Sequence, residues 1–274
     1  MLIDFHTHSR ASDGELQPAE LLTMAVEAGV ELFAITDHDT INGYLEVRDF
    51  VLSGTKLVPG IEISCVWGAT TIHVVGLDFD PEASSMQSML ALLDDARAER
   101  AQKIGQRLAA RNMPGALEGA RQYAAGSQIG RPHFARWMVD SGHVADANAA
   151  FDKYLGQGKI GDVKAFWPRL EAAVAAIVDA GGVAILAHPL KYKLTRMKLL
   201  ALCRDFAGAG GVGLEIMNGR QTPDETGRLR RLAADHGLKA SVGSDFHHSW
   251  QHGPTLGVSE SVAADLPKVW EAWP

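Results

Sequence analysis

Short apolar runs alternate along most of the chain with longer segments whose apolar residues have helical spacing. Runs of strand length occupy residues 32–36, 183–187 and 212–217, and helix-like segments such as 18–28 and 223–236 lie between them. This alternation predicts strand–helix units and a parallel sheet. Because polar residues stand at the ends of at least five strand-like runs, we expect a closed barrel that gathers these ends at one mouth.

Two segments interrupt the alternation. Two strand-like runs between residues 56 and 77 are joined by a turn at 67–70, which predicts a paired hairpin. Residues 100–166 contain no convincing buried strand, only short helix-like pieces broken by glycine and proline. The sequence therefore predicts a barrel formed by 1–99 and 167–274, with a small helical insertion at 100–166 that contributes to substrate binding.

The composition of the chain argues against several classes of protein. The chain has 274 residues, 46% of them hydrophobic, and a net charge of −7 from 26 basic and 33 acidic residues. An acidic balance argues against coating nucleic acid or an anionic membrane, although one local basic pocket for a small phosphorylated ligand remains compatible with it. Cys65 and Cys203 suggest neither a disulfide framework nor a thiolate metal site. With no signal peptide and no apolar run of membrane-spanning length, we expect a cytoplasmic protein without an obligate protein partner.

Histidines and carboxylates stand at the ends of the strand-like runs. His6 and His8 share one face of the first strand because alternate side chains point the same way, and Asp4 behind them can hold a ring N–H. Glu215, inside a later strand, is interpreted as structural. A single histidine at a strand end is as often a polar group with no further role as it is a metal ligand. Here nine histidines and carboxylates occur at or beside such positions, and the number of them favours a metal site. The candidate metal ligands are His6, His8, Asp13, His38, Glu62, His73, His188, Asp245 and His247.

Six imidazoles and three carboxylates without a thiolate suit Mn²⁺, Zn²⁺ or Fe²⁺. They exceed the needs of one ion, so two or three divalent metal ions are expected, with Glu62 or Asp245 as candidate bridges. A multinuclear site of this kind lowers the pKa of a bridging water and clamps a phosphoryl oxygen.

The motifs that carry these residues resemble those of the PHP (polymerase and histidinol phosphatase) family. They are His6-Thr7-His8, Asp13, Thr36-Asp37-His38, Gly60-Ile61-Glu62, His73, Ala187-His188-Pro189 and Gly243-Ser244-Asp245-Phe246-His247. The resemblance implies a distorted (β/α)7 TIM-like barrel, the PHP fold, and a phosphoesterase with a di- or trinuclear centre, Mn²⁺ being the first expectation. It also implies three ligand sets: His6, His8, Glu62 and Asp245; Glu62, His73 and His188; and Asp13, His38 and His247.

The insertion carries a second resemblance. Gly130-Arg131-Pro132-His133 is similar to a segment of the nucleoside 3′,5′-bisphosphate phosphatase branch, whose members are also described as 5′-to-3′ exonucleases on short RNA. Arg131 offers a planar fork for phosphate, and His133 a second donor or a proton source. Lys159 resembles a residue of the same branch, although 160–163 depart from its pattern. The strand-end Arg220 is a weaker candidate. Lys164 and Lys191 are further basic residues for which a solvated surface is expected.

These features predict a metal-dependent phosphomonoesterase. Metal-bound hydroxide would hydrolyse the 3′-phosphate of a nucleoside 3′,5′-bisphosphate to the 5′-nucleotide and phosphate. Asp245 would act at the reacting end, Arg131 with Lys159 would hold the remote 5′-phosphate, and His133 or a water would protonate the leaving oxygen. The alternatives are a 5′-to-3′ exoribonuclease on short 5′-phosphorylated RNA, a histidinol-phosphate phosphatase, and a non-catalytic metal-bound module. An open basic groove beside the insertion would favour RNA, and a closed pocket the mononucleotide.

Overall fold

The structure is a computed structural model, and it describes residues 1–51, 53–164, 166–248, 254–271 and 273. Within these ranges the strands are β1 (Leu2–Asp4), β2 (Leu32–Phe33), β3 (Lys56–Leu57), β4 (Gly60–Trp67), β5 (Thr70–Leu77), β6 (Val183–Leu186), β7 (Gly213–Asn218), β8 (Lys239–Gly243) and β9 (Val258–Ser259). The α-helices are α1 (Pro18–Glu27), α2 (Asn42–Val47), α3 (Ser84–Ala109), α4 (Ala116–Ala124), α5 (Arg131–Asp140), α6 (Ala147–Ala150), α7 (Leu170–Asp179), α8 (Arg196–Gly208) and α9 (Pro223–Asp235). Short π or 3-10 turns occupy Phe151–Leu155, Pro189–Tyr192 and Glu260–Ala263.

The described strands form two sheets, with the orders β3-β2-β1-β9 and β4-β5-β6-β7-β8. The sheets meet on both sides of the mouth without merging. On one side the Phe5 amide donates to the Val242 carbonyl at 3.2 Å, and on the other side His38 and Glu62 form an isolated parallel bridge. The fold is therefore mixed α/β, and the closed arrangement of seven parallel strands is not confirmed.

The departure from a parallel barrel has a local cause in the predicted hairpin. β4 and β5 pair antiparallel from Gly60–Leu77 to Trp67–Thr70, and only Gly68 and Ala69 connect them. A two-residue connection permits no crossover helix, so the second strand has to run back along the first. β5 consequently runs antiparallel to both of its neighbours, β4 and β6, whereas β6, β7 and β8 are parallel.

Helices cover the sheets where the strand–helix alternation predicts them. α7 packs on β4, β5 and β6, and α9 packs on β7 and β8. The start of α9 follows from its sequence, because Pro223 suits a first helical position. Thr222 and Glu225 complete a reciprocal capping box, with each side chain accepting from the other residue's backbone N–H at 3.2 and 2.9 Å.

The apolar interior is divided between the barrel strands and the insertion. Met89 and Leu93 of α3 belong to the core under the strands. Ile104 and Leu108 of the same helix belong to a second core with Phe134 of α5. The predicted boundary at residues 99 and 100 thus falls inside one continuous helix of 26 residues. The separation into two domains stays a prediction. No helix in the described ranges is both long and apolar enough to cross a membrane.

Candidate metal centre

The nine candidate ligands lie together at one mouth, and Glu62 is at their centre. Its side chain is fully buried. It projects from β4 toward the strand ends that carry the histidines. Its two oxygens contact five imidazole nitrogens, those of His188 (2.8 Å), His38 (2.9 Å), His73 (2.9 Å), His6 (3.3 Å) and His8 (3.3 Å).

Two further carboxylates flank this centre. One oxygen of Asp245 lies 3.3 Å from Nε2 of His8 and 3.5 Å from Nε2 of His6, while its other oxygen pairs with the Lys191 ammonium. Asp13 lies 3.5 Å from Nε2 of His247. In the part of the chain that the structure describes, ligand atoms within 4.8 Å of one another form four overlapping sets: His8, Asp13, His38 and His247; His6, Glu62 and His188; His6, His8 and Asp245; and His38, Glu62 and His73.

The buried donors of the cluster fit a cation. Among the described residues, Nε2 of His6, both ring nitrogens of His8, Nδ1 of His38 and Oε2 of Glu62 find no hydrogen-bond partner although they are buried. A buried polar atom left unpaired costs about 1–3 kcal/mol, so several in one place indicate a ligand that satisfies them together. Imidazole nitrogens and carboxylate oxygens are the donors that Mn²⁺, Fe²⁺ and Zn²⁺ accept. These residues can therefore hold divalent metal ions.

The electrostatics of the cluster agree with this role. Burial alone would raise the pKa of Glu62, but the imidazoles of His38, His73 and His6 hold it well below its usual range. Burial lowers the pKa of His8 to about 3 and that of His73 to about 4. At neutral pH these two rings are uncharged, which is the form that ligates a metal. Burial acts in the same direction on His38, yet Glu62 and Asp13 raise its pKa to about 9.

Glu215 orients two of the candidate ligands. From β7 its carboxylate contacts Nδ1 of His6 at 2.8 Å and accepts from the His188 backbone N–H at 2.5 Å. Asn218 donates to the same carboxylate at 2.9 Å. Holding Nδ1 directs Nε2 of His6 toward Glu62 and Asp245. The sequence-based interpretation gave this task to Asp4, which was wrong, because Asp4 is occupied by backbone N–H groups such as that of Ser244 at 2.8 Å.

The backbone is strained at three residues in or beside the cluster. Asp39, His188 and Asp245 adopt positive φ angles of 58°, 28° and 53°. Non-glycine residues rarely adopt this region, and each costs on the order of 1–3 kcal/mol. At His188 and Asp245 the strained turn follows β6 or β8 closely and places the side chain in the cluster, so surrounding contacts have to compensate for the strain.

His73 and Glu62 reach the mouth by a route that the sequence-based interpretation did not anticipate. Both were expected at C-terminal strand ends, but Glu62 is the third residue of β4 and His73 the fourth of β5. In the hairpin register Ser64 lies opposite His73, so Glu62 and His73 are diagonal neighbours on one face. The antiparallel direction of β5 therefore brings its first half to the mouth.

A cavity of about 300 Å³ opens in front of the cluster. Its barrel wall includes His38, Glu62, His73, His188, Asp245 and His247, and its basic lining side chains are Arg100, Arg131, Lys164 and Lys191. Lys164 and Lys191 were expected at a solvated surface. Lys191 is exposed as expected, although its ammonium reaches Asp245, whereas Lys164 is half-buried. Lys164 is held at the cavity by Asp162 (3.0 Å) and the Ala69 carbonyl (3.1 Å).

Guanidinium groups fix the insertion against the barrel. Arg97 donates to Asp39 at 2.7 Å and to the Ile129 carbonyl at 3.2 Å. Arg100 donates to the Val163 carbonyl at 3.0 Å. Both guanidinium carbons lie over the Trp167 ring, 5.6 and 5.1 Å from its centre. Burial and the nearby guanidinium groups of Arg131 and Arg97 lower the pKa of Arg100 to about 9, and such crowding of positive charge favours a bound anion.

The remaining predicted substrate residues, Arg131, His133, Lys159 and Arg220, lie in three different places. Arg131 lines the cavity, donates to the Leu155 carbonyl at 3.1 Å and lies 5.9 Å from the centre of the Phe151 ring. His133 lies on the other side of the α5 start, where its Nδ1 accepts from the Gly130 N–H at 2.9 Å. Lys159 and Arg220 are exposed and do not line the cavity, because each lies in a turn directed to solvent.

Comparisons with known proteins agree with this geometry. The profile of the PHP domain matches residues 4–125. The chain is 39% identical over 270 residues to a 3′,5′-nucleoside bisphosphate phosphatase of Chromobacterium violaceum, which covers 98% of this chain and 95% of that protein. It is 41% identical over 278 residues to the 5′-3′ exoribonuclease Rnm of Escherichia coli, with 100% and 94% covered. A solved structure of an amidohydrolase from Chromobacterium violaceum with bound sulfate has a TM-score of 0.87 and 38% identity, with 98% and 94% covered. The two relatives and the solved structure match the insertion as well as the strands, whereas the PHP-domain match ends at residue 125.

Proposed function

The chain belongs to the PHP-domain family, and from this premise we propose that it removes the 3′-phosphate of nucleoside 3′,5′-bisphosphates and leaves the 5′-nucleotide. It is a hydrolase of phosphoric esters. One observation carries the choice of substrate: the imidazole–carboxylate cluster and the side chains of Arg100 and Arg131 line the same cavity of about 300 Å³. A nucleotide with two phosphates can engage both at once.

The reacting end belongs at the cluster. In this proposal two or three divalent ions, Mn²⁺ first, are held by the nine imidazole and carboxylate residues, with Glu62 as the shared ligand. When bound, such ions lower the pKa of a water and neutralise charge on phosphoryl oxygens. Asp245 lies where it can orient that water, because one of its oxygens faces His6 and His8. Glu215 keeps the His6 ring in the ligating orientation.

The remote 5′-phosphate belongs at the basic wall, which is the part of the cavity lining formed by Arg100, Arg131, Lys164 and Lys191. Arg131 and Arg100 present charge-assisted donors to a doubly charged phosphate, and Lys164 adds a third cation. Binding energy at this end positions the 3′-phosphorus against the cluster, so the remote phosphate contributes to rate as well as to affinity. In this proposal Arg100 and Lys164 take the role that was expected of Lys159.

The leaving 3′-oxygen requires a proton. Nδ1 of His133 accepts from the Gly130 N–H, so the ring proton of neutral His133 is on Nε2. Burial lowers the pKa of His133, which keeps the ring neutral near pH 7. We propose that this Nε2–H of His133 donates a hydrogen bond to the leaving oxygen, and that a water molecule supplies the proton. The helical insertion at 100–166 then supplies both this donor and Arg131, while the strands supply the cluster.

The broader structural expectations fit this activity. We propose an opened, distorted (β/α)7 barrel as the arrangement that relates the two sheets, and the contacts between the sheets support it. A freely diffusing nucleotide substrate is consistent with the cytoplasmic location expected from the sequence.

The decisive experiment measures phosphate release from adenosine 3′,5′-bisphosphate with added Mn²⁺. We expect one phosphate per nucleotide with AMP as the product, and loss of both activity and bound metal in Asp245→Asn. Release of adenosine 3′-phosphate instead of AMP would contradict the assignment of the two ends. Histidinol phosphate, assayed in parallel, should be a poor substrate because it has no second phosphate for Arg131.

Short 5′-phosphorylated RNA is the second candidate substrate. It is favoured by the similarity to the Escherichia coli exoribonuclease, and it presents the same 5′-phosphate and the same 3′-linked phosphorus. A non-catalytic role is disfavoured because all nine ligand positions are filled by imidazoles or carboxylates.

A further inference from the structure

A second cavity lies on the far side of Asp13 and His133 from the basic wall. It measures about 580 Å³, and its lining includes Arg10, Glu15, Tyr123 and Arg136. One wall is the loop that follows β1, and the other is formed by α4 and the first turns of α5. Of the residues proposed to act on the bisphosphate, Asp13 and His133 border this space, and Arg100, Arg131 and Lys164 do not.

The second cavity adjoins the site. A small cavity of about 60 Å³ lies between them and is lined by Asp13, His38, Arg131 and Pro132. It shares Arg131 with the lining of the first cavity and Pro132 with the lining of the second. Beyond Arg10 a further hollow of about 400 Å³ continues along the same seam. Together these spaces form a groove that begins at the metal centre and follows the boundary between the first loop and the insertion.

Direct contacts hold the two sides of the groove together. The Gln128 N–H donates to the Ala11 carbonyl at 3.1 Å, and the Ser127 hydroxyl donates to the Ser12 carbonyl at 3.3 Å. The groove therefore has a defined floor where the insertion rests on the barrel loop.

The chemistry of the groove suits a nucleotide. Within the described residues neither Arg10 nor Arg136 pairs with a carboxylate, and the Arg136 guanidinium lies 5.1 Å from the centre of the Tyr123 ring. The Tyr123 hydroxyl is fixed by Asp140. Unpaired arginines bind phosphodiesters, and an aromatic ring next to an arginine is a platform on which a base stacks. Glu15 is the opposing charge, and it lies at the exposed rim.

We propose that this groove binds the nucleotide that follows the scissile phosphodiester of a short 5′-phosphorylated RNA. The proposal rests on the function proposed above and extends it to an oligonucleotide. Arg10 and Arg136 would bind the backbone of the departing chain, and Tyr123 would stack its first base. The 5′-terminal nucleotide would occupy the first cavity as the bisphosphate does.

One reaction then serves both substrates. Water adds to the phosphorus, the P–O3′ bond breaks, and the 3′-oxygen takes a proton, which releases a 5′-nucleotide. In the bisphosphate the phosphorus leaves as inorganic phosphate. In RNA the same phosphorus carries the rest of the chain through its 5′-oxygen, so the chain departs with a new 5′-phosphate. That group is what Arg131 and Arg100 recognise, and the product is therefore a substrate for the next round.

The test compares adenosine 3′,5′-bisphosphate with the 5′-phosphorylated trinucleotide pApApA. We expect Arg10→Ala with Arg136→Ala to lower kcat/KM for the trinucleotide by about tenfold or more and to weaken its salt dependence. Hydrolysis of the bisphosphate should be unchanged. Tyr123→Leu should lower trinucleotide kcat/KM as well, while Tyr123→Phe should retain it, because the ring is kept.

The control is Arg228→Ala, which removes an exposed arginine of α9 that lines none of these cavities. An equal loss on both substrates, or no loss on the trinucleotide, in the Arg10 and Arg136 variant would overturn the groove assignment. Wild-type hydrolysis of the bisphosphate but not of pApApA would overturn it as well and leave the proposed function intact. Failure on both substrates would refute the proposed function itself.

Discussion

The metal centre and the basic wall face each other across one cavity, but they are built in different ways. The cluster consists of side chains from strand ends and adjacent loops, and its central carboxylate contacts five imidazoles. The basic wall consists largely of long side chains from a helix and from the insertion. Both arginines of this wall use one guanidinium donor to hold a backbone carbonyl, Arg100 that of Val163 and Arg131 that of Leu155.

This difference separates chemistry from selection of the substrate. A substitution in the cluster should remove the reaction for every phosphate ester, because all of them need the same centre. A substitution in the basic wall should leave that centre intact and change which ester is preferred. Matched variants on the two sides of the cavity test this distinction.

Glu62→Gln should abolish the cluster's function. The neutral amide cannot share charge among the surrounding imidazoles, and its NH₂ group would face ring nitrogens that need an acceptor. We expect bound metal to fall and kcat/KM to drop at least about a thousandfold on any phosphate ester. Glu46→Gln on the exposed face of α2 is the control. Full metal content and turnover in Glu62→Gln would remove the central role of this carboxylate.

Arg131→Ala should lower kcat/KM for the bisphosphate by about a hundredfold, since a charge-assisted contact to a doubly charged phosphate is lost. Hydrolysis of p-nitrophenyl phosphate, which has no second phosphate, should be nearly unaffected. Arg107→Ala is a close control, because Arg107 also donates to an insertion carbonyl, that of Ile160 at 2.8 Å, but lies outside the cavity. Equal losses on both substrates would mean that Arg131 serves the fold or the reacting phosphate.

Glu215→Gln should weaken metal binding by about tenfold and leave kcat at saturating metal close to that of the wild type. The amide can still accept from the His188 N–H, but it no longer carries the charge that pairs with the His6 ring. A metal titration that follows activity separates the two quantities. A fall in kcat that excess metal does not restore would show that Glu215 acts in the reaction and not through His6.

Lys164→Ala should raise KM for the bisphosphate about threefold, a modest effect because the ammonium is already shared with Asp162 and is partly exposed. Lys159→Ala should change nothing, because Lys159 is exposed outside the cavity. Steady-state kinetics of the two variants compare a lysine placed by the structure with one suggested by the sequence. A larger rise in KM for Lys159→Ala than for Lys164→Ala would restore the expectation that Lys159 holds the remote 5′-phosphate.

The sequence was sufficient to identify the cluster because its residues follow strand-like runs, a local pattern. It also predicted the hairpin, and with it the reversed direction of β5, but it did not show that this reversal brings His73 to the mouth from the first half of β5. The sequence-based interpretation of Glu215 as structural missed its contact with His6. A carboxylate buried inside a strand costs free energy unless it has a partner. That cost was the signal for its role in holding His6.

The basic wall was harder to predict because its residues are far apart in the chain. A signal was nevertheless present in α3, where Arg97 and Arg100 continue the spacing of Leu93 and Ile104. Arginines on an apolar stripe are buried with the rest of that stripe, and here both lie over Trp167. Lys164 and Lys191 carried no such pattern, since they reach the cavity only through the folded positions of two distant loops.

Helix α3 runs without interruption through both apolar cores, so it fixes the position of the insertion relative to the metal centre. A helix advances about 1.5 Å and turns about 100° per residue, so deleting one residue between Arg100 and Ile104 would rotate the whole insertion, with Arg131, away from the metal centre. Arg131 would keep its place only if the length of α3 changed in steps close to whole turns. The distance between the metal centre and the proposed phosphate site is thus set by a helix that lies mostly outside the cavity.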